Sequence, residues 1–289
     1  MHTRQAPPHL PHLEHDGILF MGLTRIAPDA WIEADRDFPR YLQHKHQQRT
    51  LRGDGVYRSH PDSLPAQQEL AAMLRAHLLS EHADDYHEVG GQLHYAPTGQ
   101  ALATVGAEPL WDASLWIGDD VLLMQERKGV YHLTAASLCS PSSWSLAEKF
   151  NQPIRTIHDP IPGFHPALSD KIDRVFGFLQ AEHPVIRYNW SLQADDTLAW
   201  YPDRQRPPVA ADTALYYRCE RQSLRRLPET GALAFTVKVY VHPLASLANV
   251  PGALPRLLAQ VATTPPELAA YKGFPRYQAA LEKYSRHQH

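Results

Sequence analysis

The segment IRTIHDPIPGF, residues 154–164, contains a histidine in a setting suited to metal chemistry. His158 lies between two apolar stretches, and Pro160 and Pro162 are predicted to hold the backbone extended, which leaves the ring little freedom. A neutral imidazole with one nitrogen aimed at a metal suits the axial position of heme iron. The alternative is a histidine that caps a helix or packs in the core, and this motif alone leaves both open.

A second polar group lies in IRYNWSLQ, residues 186–193. Alternation along a strand predicts one polar face and one apolar face. The polar face has three members, Arg187, Asn189 and Ser191. The apolar face has Tyr188, Trp190 and Leu192. Because unpaired polar groups are expensive to bury, the polar face is expected either to line a ligand cavity or to meet solvent.

Charged residues crowd into YYRCERQSLRRLPETG, residues 216–231. They are Arg218, Glu220, Arg221, Arg225 and Arg226. Guanidinium groups bind carboxylates, including heme propionates, and Glu220 is a candidate to neutralise one of them or to accept a hydrogen bond from an amine. The alternative is a set of surface ion pairs, which contribute little to stability.

The elements that must position these residues follow from periodicity. Helices are predicted over residues 29–52 and 65–82, with an irregular linker over residues 83–111. A hairpin with its turn at residues 127–129 is followed by a short helix with a capping box at Ser145 and Glu148, and by a helix that starts at Ser169. Three further strands are predicted over residues 185–192, 214–223 and 232–241, and helices over residues 245–286. In the last strand the face with Val237 and Val239 is predicted to be the buried one.

Composition narrows the class of protein. The 289 residues are 43% hydrophobic and 20% charged, which is typical of one large globular domain or two interlocked ones. A net charge of -3 gives no bulk attraction to nucleic acid or to an anionic membrane. No apolar run is long enough to span a bilayer, and the His-rich start is predicted to be a flexible leader, not a signal peptide.

The two cysteines, Cys139 and Cys219, provide no disulfide framework and no zinc or iron-sulfur pattern, which favours a cytoplasmic protein. The sequence also contains no GxGxxG, GxxxxGK[ST], HExxH or GxSxG motif. The common nucleotide-binding, zinc-protease and serine-hydrolase classes are therefore disfavoured.

Taken together, residues 140–164, the string RYNWSL and residues 220–244 resemble the alpha-subunit family of heme-dependent oxidative N-demethylases. The string MGLTRIAPDAWIEADRDF, residues 21–38, is similar to the opening of that family, so the resemblance spans residues 17–244. Its specificity lies in the order and spacing of these stretches. The residues at Cys139, Ser142 and Ser143 depart from the family pattern, which leaves the substrate open.

The resemblance implies an α+β fold, with a PAS-like antiparallel sheet, flanking helices, and helical N- and C-terminal extensions. The predicted parts are a flexible leader over residues 1–16, a mainly helical part over residues 17–110, a heme-binding core over residues 111–244 and terminal helices over residues 245–289. It also implies a heme-dependent monooxygenase subunit that uses dioxygen to convert a small secondary amine, such as dimethylamine, to a primary amine and formaldehyde.

The resemblance assigns roles to seven residues. His158 is the predicted axial ligand of heme b. The predicted propionate anchors are Arg187, Arg221 and Arg225. The residues predicted to orient the amine are Glu220, Asn189 and Tyr188. Electrons are expected from NAD(P)H through a separate reductase that carries flavin and an iron-sulfur cluster.

Two other functions stay open. The first is a PAS-like heme sensor or binding protein without turnover, although no helix-turn-helix, kinase or coiled-coil pattern follows as an output domain. The second is a heme-free interaction protein in which His158 is packed and the arginines are paired.

Overall fold

The fold is built on an antiparallel sheet of seven strands. A computed structural model describes residues 6–17, 22–158, 162, 172 and 174–286. The strands of the described residues are β1 (Thr24–Arg25), β2 (Tyr57–Ser59), β3 (Tyr86–Val89), β4 (Gln92–Tyr95), β5 (Gln100–Ala101), β6 (Asp120–Arg127), β7 (Val130–Ser137), β8 (Val185–Gln193), β9 (Tyr216–Arg226) and β10 (Leu233–Pro243). The large sheet has the order β1-β8-β9-β10-β6-β7-β2, and β3, β4 and β5 form a second, small sheet.

Helices cover both faces of the large sheet. They are α1 (Pro11–Glu14), α2 (Phe38–Arg52), α3 (Leu64–Glu81), α4 (Pro109–Ser114), α5 (Leu146–Lys149), α6 (Ile154–His158), α7 (Ala253–Thr263), α8 (Pro266–Lys272) and α9 (Gln278–Arg286). Residues 174–178 are also helical. This arrangement confirms the α+β class, whereas the PAS-like label and the domain boundaries stay predictions.

The predicted hairpin is confirmed as β6 and β7. Lys128 has a φ of 54° and Gly129 a φ of 81°, the left-handed conformation that a tight hairpin turn requires. The strands predicted over residues 185–192, 214–223 and 232–241 are confirmed as β8, β9 and β10, displaced by at most three residues at their ends.

Two predicted elements differ from the structure. The helix predicted from residue 29 begins at Phe38, because Pro39 lacks an amide hydrogen and suits only a first turn. The linker predicted over residues 83–111 is wrong, since this stretch contains β3, β4, β5 and the start of α4. Gly90 and Gly91, both at positive φ, make the turn between β3 and β4. Such a Gly-Gly pair is typical of a hairpin turn, so the sequence did contain an indication of this hairpin.

Two expected helix caps have different outcomes. Ser145 does precede α5, but its side chain makes no capping hydrogen bond. Ser169 lies outside the described residues.

Both faces of β10 are covered. Its apolar alternation predicted that the face with Val237 and Val239 alone is buried, but Thr236 and Lys238 on the opposite face are each 1% exposed. These polar side chains are buried because each has a partner: Lys238 donates to the Glu33 carbonyl and pairs with Asp35, and Thr236 hydrogen-bonds Ser223. A polar face can be buried when each group has a partner.

The flexible leader is wrong for residues 6–17. His12, in α1, is 0% exposed and makes two side-chain hydrogen bonds. Its Nε2–H donates to the Ala253 carbonyl at 3.0 Å, and its Nδ1 accepts from the Tyr217 hydroxyl at 3.3 Å. The His12 carbonyl in turn accepts from Arg256 at 2.8 Å. The segment therefore ties α7 to β9.

Acid is expected to destabilise the protein through His12. Burial lowers the pKa of His12 from 6.5 to about 4, with the Arg256 charge acting in the same direction. The unfolded chain therefore binds this proton first as the pH falls below 6.5, and by pH 4 about 3 kcal/mol of stability is lost at this site. Urea unfolding from pH 7 to pH 4 measures the loss.

The matched control for that titration is His12→Gln, whose amide hydrogen-bonds but does not titrate. Burial also lowers the pKa of His77 to about 4, so both proteins lose the stability that His77 contributes. The difference between the two pH profiles isolates His12. Parallel profiles would contradict the prediction.

Within the described part of the chain, no helix combines the length and the apolar character that crossing a membrane requires. The cytoplasmic location stays a prediction.

Candidate functional site

The predicted site residues occupy two opposite faces of the sheet. Register and alternation over β8, β9 and β10 define both faces. The Glu220 face carries Arg187, Asn189, Arg218, Glu220, Gln222 and Val239. The Arg221 face carries Tyr188, Cys219, Arg221, Arg225, Lys238 and Tyr240.

Glu220 is the centre of a buried polar network. Its Oε1 lies 3.1 Å from Arg218 Nε, and its Oε2 accepts from Gln222 Nε2 at 3.0 Å and from Asn189 Nδ2 at 3.3 Å. Burial opposes the charge of this carboxyl, but the Arg218 guanidinium outweighs it and the pKa of Glu220 is lowered overall. Glu220 is therefore an anion at neutral pH.

Arg218 anchors this network to the rest of the fold. It is 1% exposed, and its two terminal nitrogens donate to the Leu198 and Ser140 carbonyls, each at 2.7 Å. Together with its contact to Glu220, all three nitrogens are engaged. The guanidinium therefore orients Glu220 and joins β9 to two loops.

Lys272, the last residue of α8, extends the network to the edge of the sheet. Its Nζ donates to Asn189 Oδ1 at 2.8 Å and to the Trp190 carbonyl at 3.1 Å. Because an ammonium only donates and a carboxylate only accepts, the Asn189 amide is fixed with its oxygen towards Lys272 and its nitrogen towards Glu220. Burial lowers the pKa of Lys272 to about 8, with Glu220 opposing the shift.

His158 ends α6, which packs on the Glu220 face. Ile154 and Ile157 of this helix join a cluster with Leu122 and Leu224. The half-buried ring of His158 has its Nδ1 2.8 Å from the Ile154 carbonyl. A carbonyl cannot donate, so Nδ1 carries a proton, and in the neutral ring the lone pair then lies on Nε2. The extended backbone predicted at His158 is wrong, since the residue is helical.

The rest of the segment over residues 154–164 follows His158. Residues 159–161, including Pro160, lie outside the described part of the chain, and Pro162 lies in a turn.

Arg221 is bound to the N-terminal part of the chain. It is 2% exposed, and it donates to the carbonyls of Trp31, at 3.0 Å, and Ala30. Its Nε lies 3.2 Å from Glu33 Oε1. Although burial opposes ionisation of Glu33, hydrogen bonds from His9 and Tyr240 and the Arg221 charge lower its pKa to about 2. The Arg221 side chain therefore holds residues 30–33 on the sheet.

Arg225 and Tyr188, the other two predicted site residues on the Arg221 face, also contact the N-terminal part of the chain. The guanidinium of Arg225 stacks over the Trp31 ring at 4.7 Å, and its Nε donates to the Ala181 carbonyl at 3.2 Å. The ring of Tyr188 lies 4.8 Å from that of His9, and burial raises the pKa of Tyr188 to about 12.

The structure therefore brings together three of the seven predicted residues, Arg187, Asn189 and Glu220, and packs the helix that ends in His158 on the same face. It does not bring Tyr188, Arg221 or Arg225 to that face. A single pocket on the Glu220 face that contains all seven is excluded for this reason.

Two members of the network had no predicted role, Gln222 and Lys272, whereas the contact between Arg218 and Glu220 is the internal neutralisation of one guanidinium that the sequence left open. Arg218 and Gln222 lie two residues before and after Glu220, so strand alternation carried the signal. No local pattern indicated Lys272, which reaches Asn189 from a helix 83 residues later in the chain.

Residues 22–282 match the model of the family described as haem-dependent oxidative N-demethylase, alpha subunit-like. The match extends past residue 244 and includes most of the C-terminal helices, among them the one that carries Lys272.

Proposed function

Since this chain belongs to the haem-dependent oxidative N-demethylase alpha-subunit-like family, we propose that it is a heme-dependent monooxygenase subunit that removes an N-methyl group from a small secondary amine. Dimethylamine is the simplest such substrate, with methylamine and formaldehyde as its products. The observation that carries the proposal is a family match over residues 22–282 that includes a buried, charged network on one sheet face.

The His158 geometry suits the iron of heme b. The hydrogen bond from Nδ1 to the Ile154 carbonyl selects the tautomer whose Nε2 lone pair binds a metal. The described residues contain no group of three His, Cys, Asp or Glu side chains that would hold a bare metal ion, but heme iron needs only one axial histidine from the protein. We therefore propose that His158 would hold the heme iron.

The Glu220 face suits both the apolar ring of a heme and its charged propionates. Apolar side chains, among them Leu122, Leu224 and Ile157, lie on the side that α6 covers, and the charged network lies towards the edge of β8. An apolar surface with cationic side chains beside it suits heme, which has an apolar ring and two propionate carboxylates. Arg187 keeps its proposed propionate role, whereas Arg221 and Arg225 are proposed to secure the N-terminal part of the chain.

When bound, the heme would supply dioxygen activation and the oxidation of the N-methyl group. The protein would bind and orient the amine. A protonated secondary amine carries two N–H donors, and the Glu220 carboxylate, anionic at neutral pH, attracts that charge. Asn189 stabilises this carboxylate through its amide N–H. Tyr188, on the other face, is proposed to act only through the position of β8.

An alpha-subunit-like family implies a partner subunit. We propose that the partner is a reductase carrying flavin and an iron-sulfur cluster, that it passes electrons from NAD(P)H, and that the assembly is cytoplasmic. Part of the support is the sequence itself, since two cysteines and no dinucleotide fingerprint leave this chain without a reductase site of its own.

The test is reconstitution of the full chain with hemin, followed by turnover. We expect a Soret band at one heme per chain and, with dimethylamine, dioxygen and a supplied electron donor, formaldehyde in proportion to the amine consumed. A Soret band without formaldehyde from any small secondary amine would favour a heme sensor or binding protein. No heme uptake would reject the proposal.

A further inference from the structure

Lys272 lies where α8 meets the free edge of β8. The strand β1 pairs only with Val185 and Ile186, so among the described residues the rest of that edge has no partner strand. The helices α7, α8 and α9 pack with residues of the Arg221 face, yet the Lys272 ammonium hydrogen-bonds Asn189 of the Glu220 face. The side chain therefore passes around the edge and brings a cation to the Glu220 network.

The carboxylate in this network is already engaged. Glu220 accepts hydrogen bonds from Arg218, Gln222 and Asn189, so three donors already hold this carboxylate in place. The hydrogen-bond acceptors of Lys272 are an amide oxygen and a backbone carbonyl, both neutral. The charge that acts on the ammonium from within the network is that of Glu220, a carboxylate that already pairs with Arg218, so the described part of the network carries more positive than negative charge.

A second cation lies beside Lys272. Arg187 is half-buried on the same face, and its charge acts on Lys272 to lower the lysine pKa. Two like charges at a partly buried edge repel each other, and an anion placed between them would relieve the repulsion. Carboxylates are the anions that Lys and Arg bind with charge-assisted hydrogen bonds.

We propose that Lys272, together with Arg187, forms a carboxylate-binding pair at the edge of β8, and that it takes the propionates of the heme. The inference rests on the proposed function and adds a cofactor-binding residue from the C-terminal helices. A carboxylate on the amine substrate has the same chemistry, so the test must separate the two sources.

The experiment compares hemin with hemin dimethyl ester, which lacks the carboxylate charges. Apoprotein of the full chain is titrated with each, and the ratio of the two Kd values is measured for wild type, Lys272→Met and Lys272→Arg. Wild type is expected to favour hemin, and Lys272→Met to reduce that preference by about tenfold, the size of one charge-assisted hydrogen bond. Lys272→Arg, which keeps the charge, is expected to retain most of the preference.

Arg225→Met is the matched control, since it removes a half-buried cation from the opposite face and is expected to leave the ratio unchanged. A lower melting temperature of Lys272→Met apoprotein with an unchanged ratio would make Lys272 a structural clamp and overturn the proposal. If neither hemin nor its ester binds wild type, the proposed function itself fails.

The substrate source is tested with two amines. Spectral shifts of the reconstituted protein are recorded with dimethylamine and with N-methylglycine, which carries a carboxylate. If Lys272→Met keeps the hemin preference but loses only the N-methylglycine shift, the pair binds a substrate carboxylate and the propionate assignment is overturned. Equal shifts in wild type and variant, with a reduced hemin preference, support the propionate assignment.

Discussion

Replacement of His158 by alanine is expected to abolish the Soret band of reconstituted protein and, with it, formaldehyde release. The physical reason is that Nδ1 donates to the Ile154 carbonyl, so Nε2 of the neutral ring is the nitrogen that would bind the iron, and His158 is the proposed ligand. Removing a group that only orients a metal ligand lowers metal affinity by about 10- to 100-fold. Removing the ligand itself should cost more, so heme affinity is expected to fall by more than about 100-fold. Absorbance titration with hemin measures it.

The control is His94→Ala. His94 is also half-buried, but it lies on β4 of the small sheet and stacks on His87 at 5.6 Å. This variant should bind heme like wild type. A His158→Gly variant should regain a Soret band when imidazole is added, because free imidazole replaces the missing ring. A wild-type spectrum for His158→Ala would remove His158 from the iron site.

Replacement of Arg218 by methionine is expected to cost about 3 to 5 kcal/mol of unfolding free energy. The variant leaves the Glu220 carboxylate buried without its main counter-charge, and it also leaves the Leu198 and Ser140 carbonyls without their donor. Denaturation with urea at pH 7, followed by tryptophan fluorescence, measures the loss.

The double variant Arg218→Met/Glu220→Gln separates the charge effect from packing. It should be less destabilised than the sum of the single variants, since neither charge is then left unpaired. The surface pair of Arg75 and Glu88 provides the control, because Arg75→Met should cost less than about 1 kcal/mol. Equal losses for Arg218→Met and Arg75→Met would contradict a buried network.

Local sequence predicted the five long strands β6 to β10 and most helices, but not the five short strands β1 to β5. The hairpin of β6 and β7 follows from alternation around Lys128 and Gly129, and α3 from apolar spacing along residues 65–82. The polar face of β8 was also predictable, because side chains alternate whatever the strand pairs with. Order and spacing along the chain were enough to predict the family as well, and its match over residues 22–282 confirms that prediction.

Only the tertiary structure decided which charged residues share a site. Arg218, Arg221 and Arg225 lie in one short string, yet Arg218 binds Glu220 while the other two hold the N-terminal part of the chain. Which of two faces receives a partner depends on segments far away in sequence, as Glu33 is from Arg221.

Distant segments also decide the partners of side chains near the two ends of the chain. His12 is buried because α7 and β9 supply its hydrogen-bond partners, and Lys272 reaches Asn189 because α8 ends at the sheet edge. Residue spacing determines the direction of a side chain from its own strand or helix. Its partner is set by the packing of distant elements, which local periodicity does not encode.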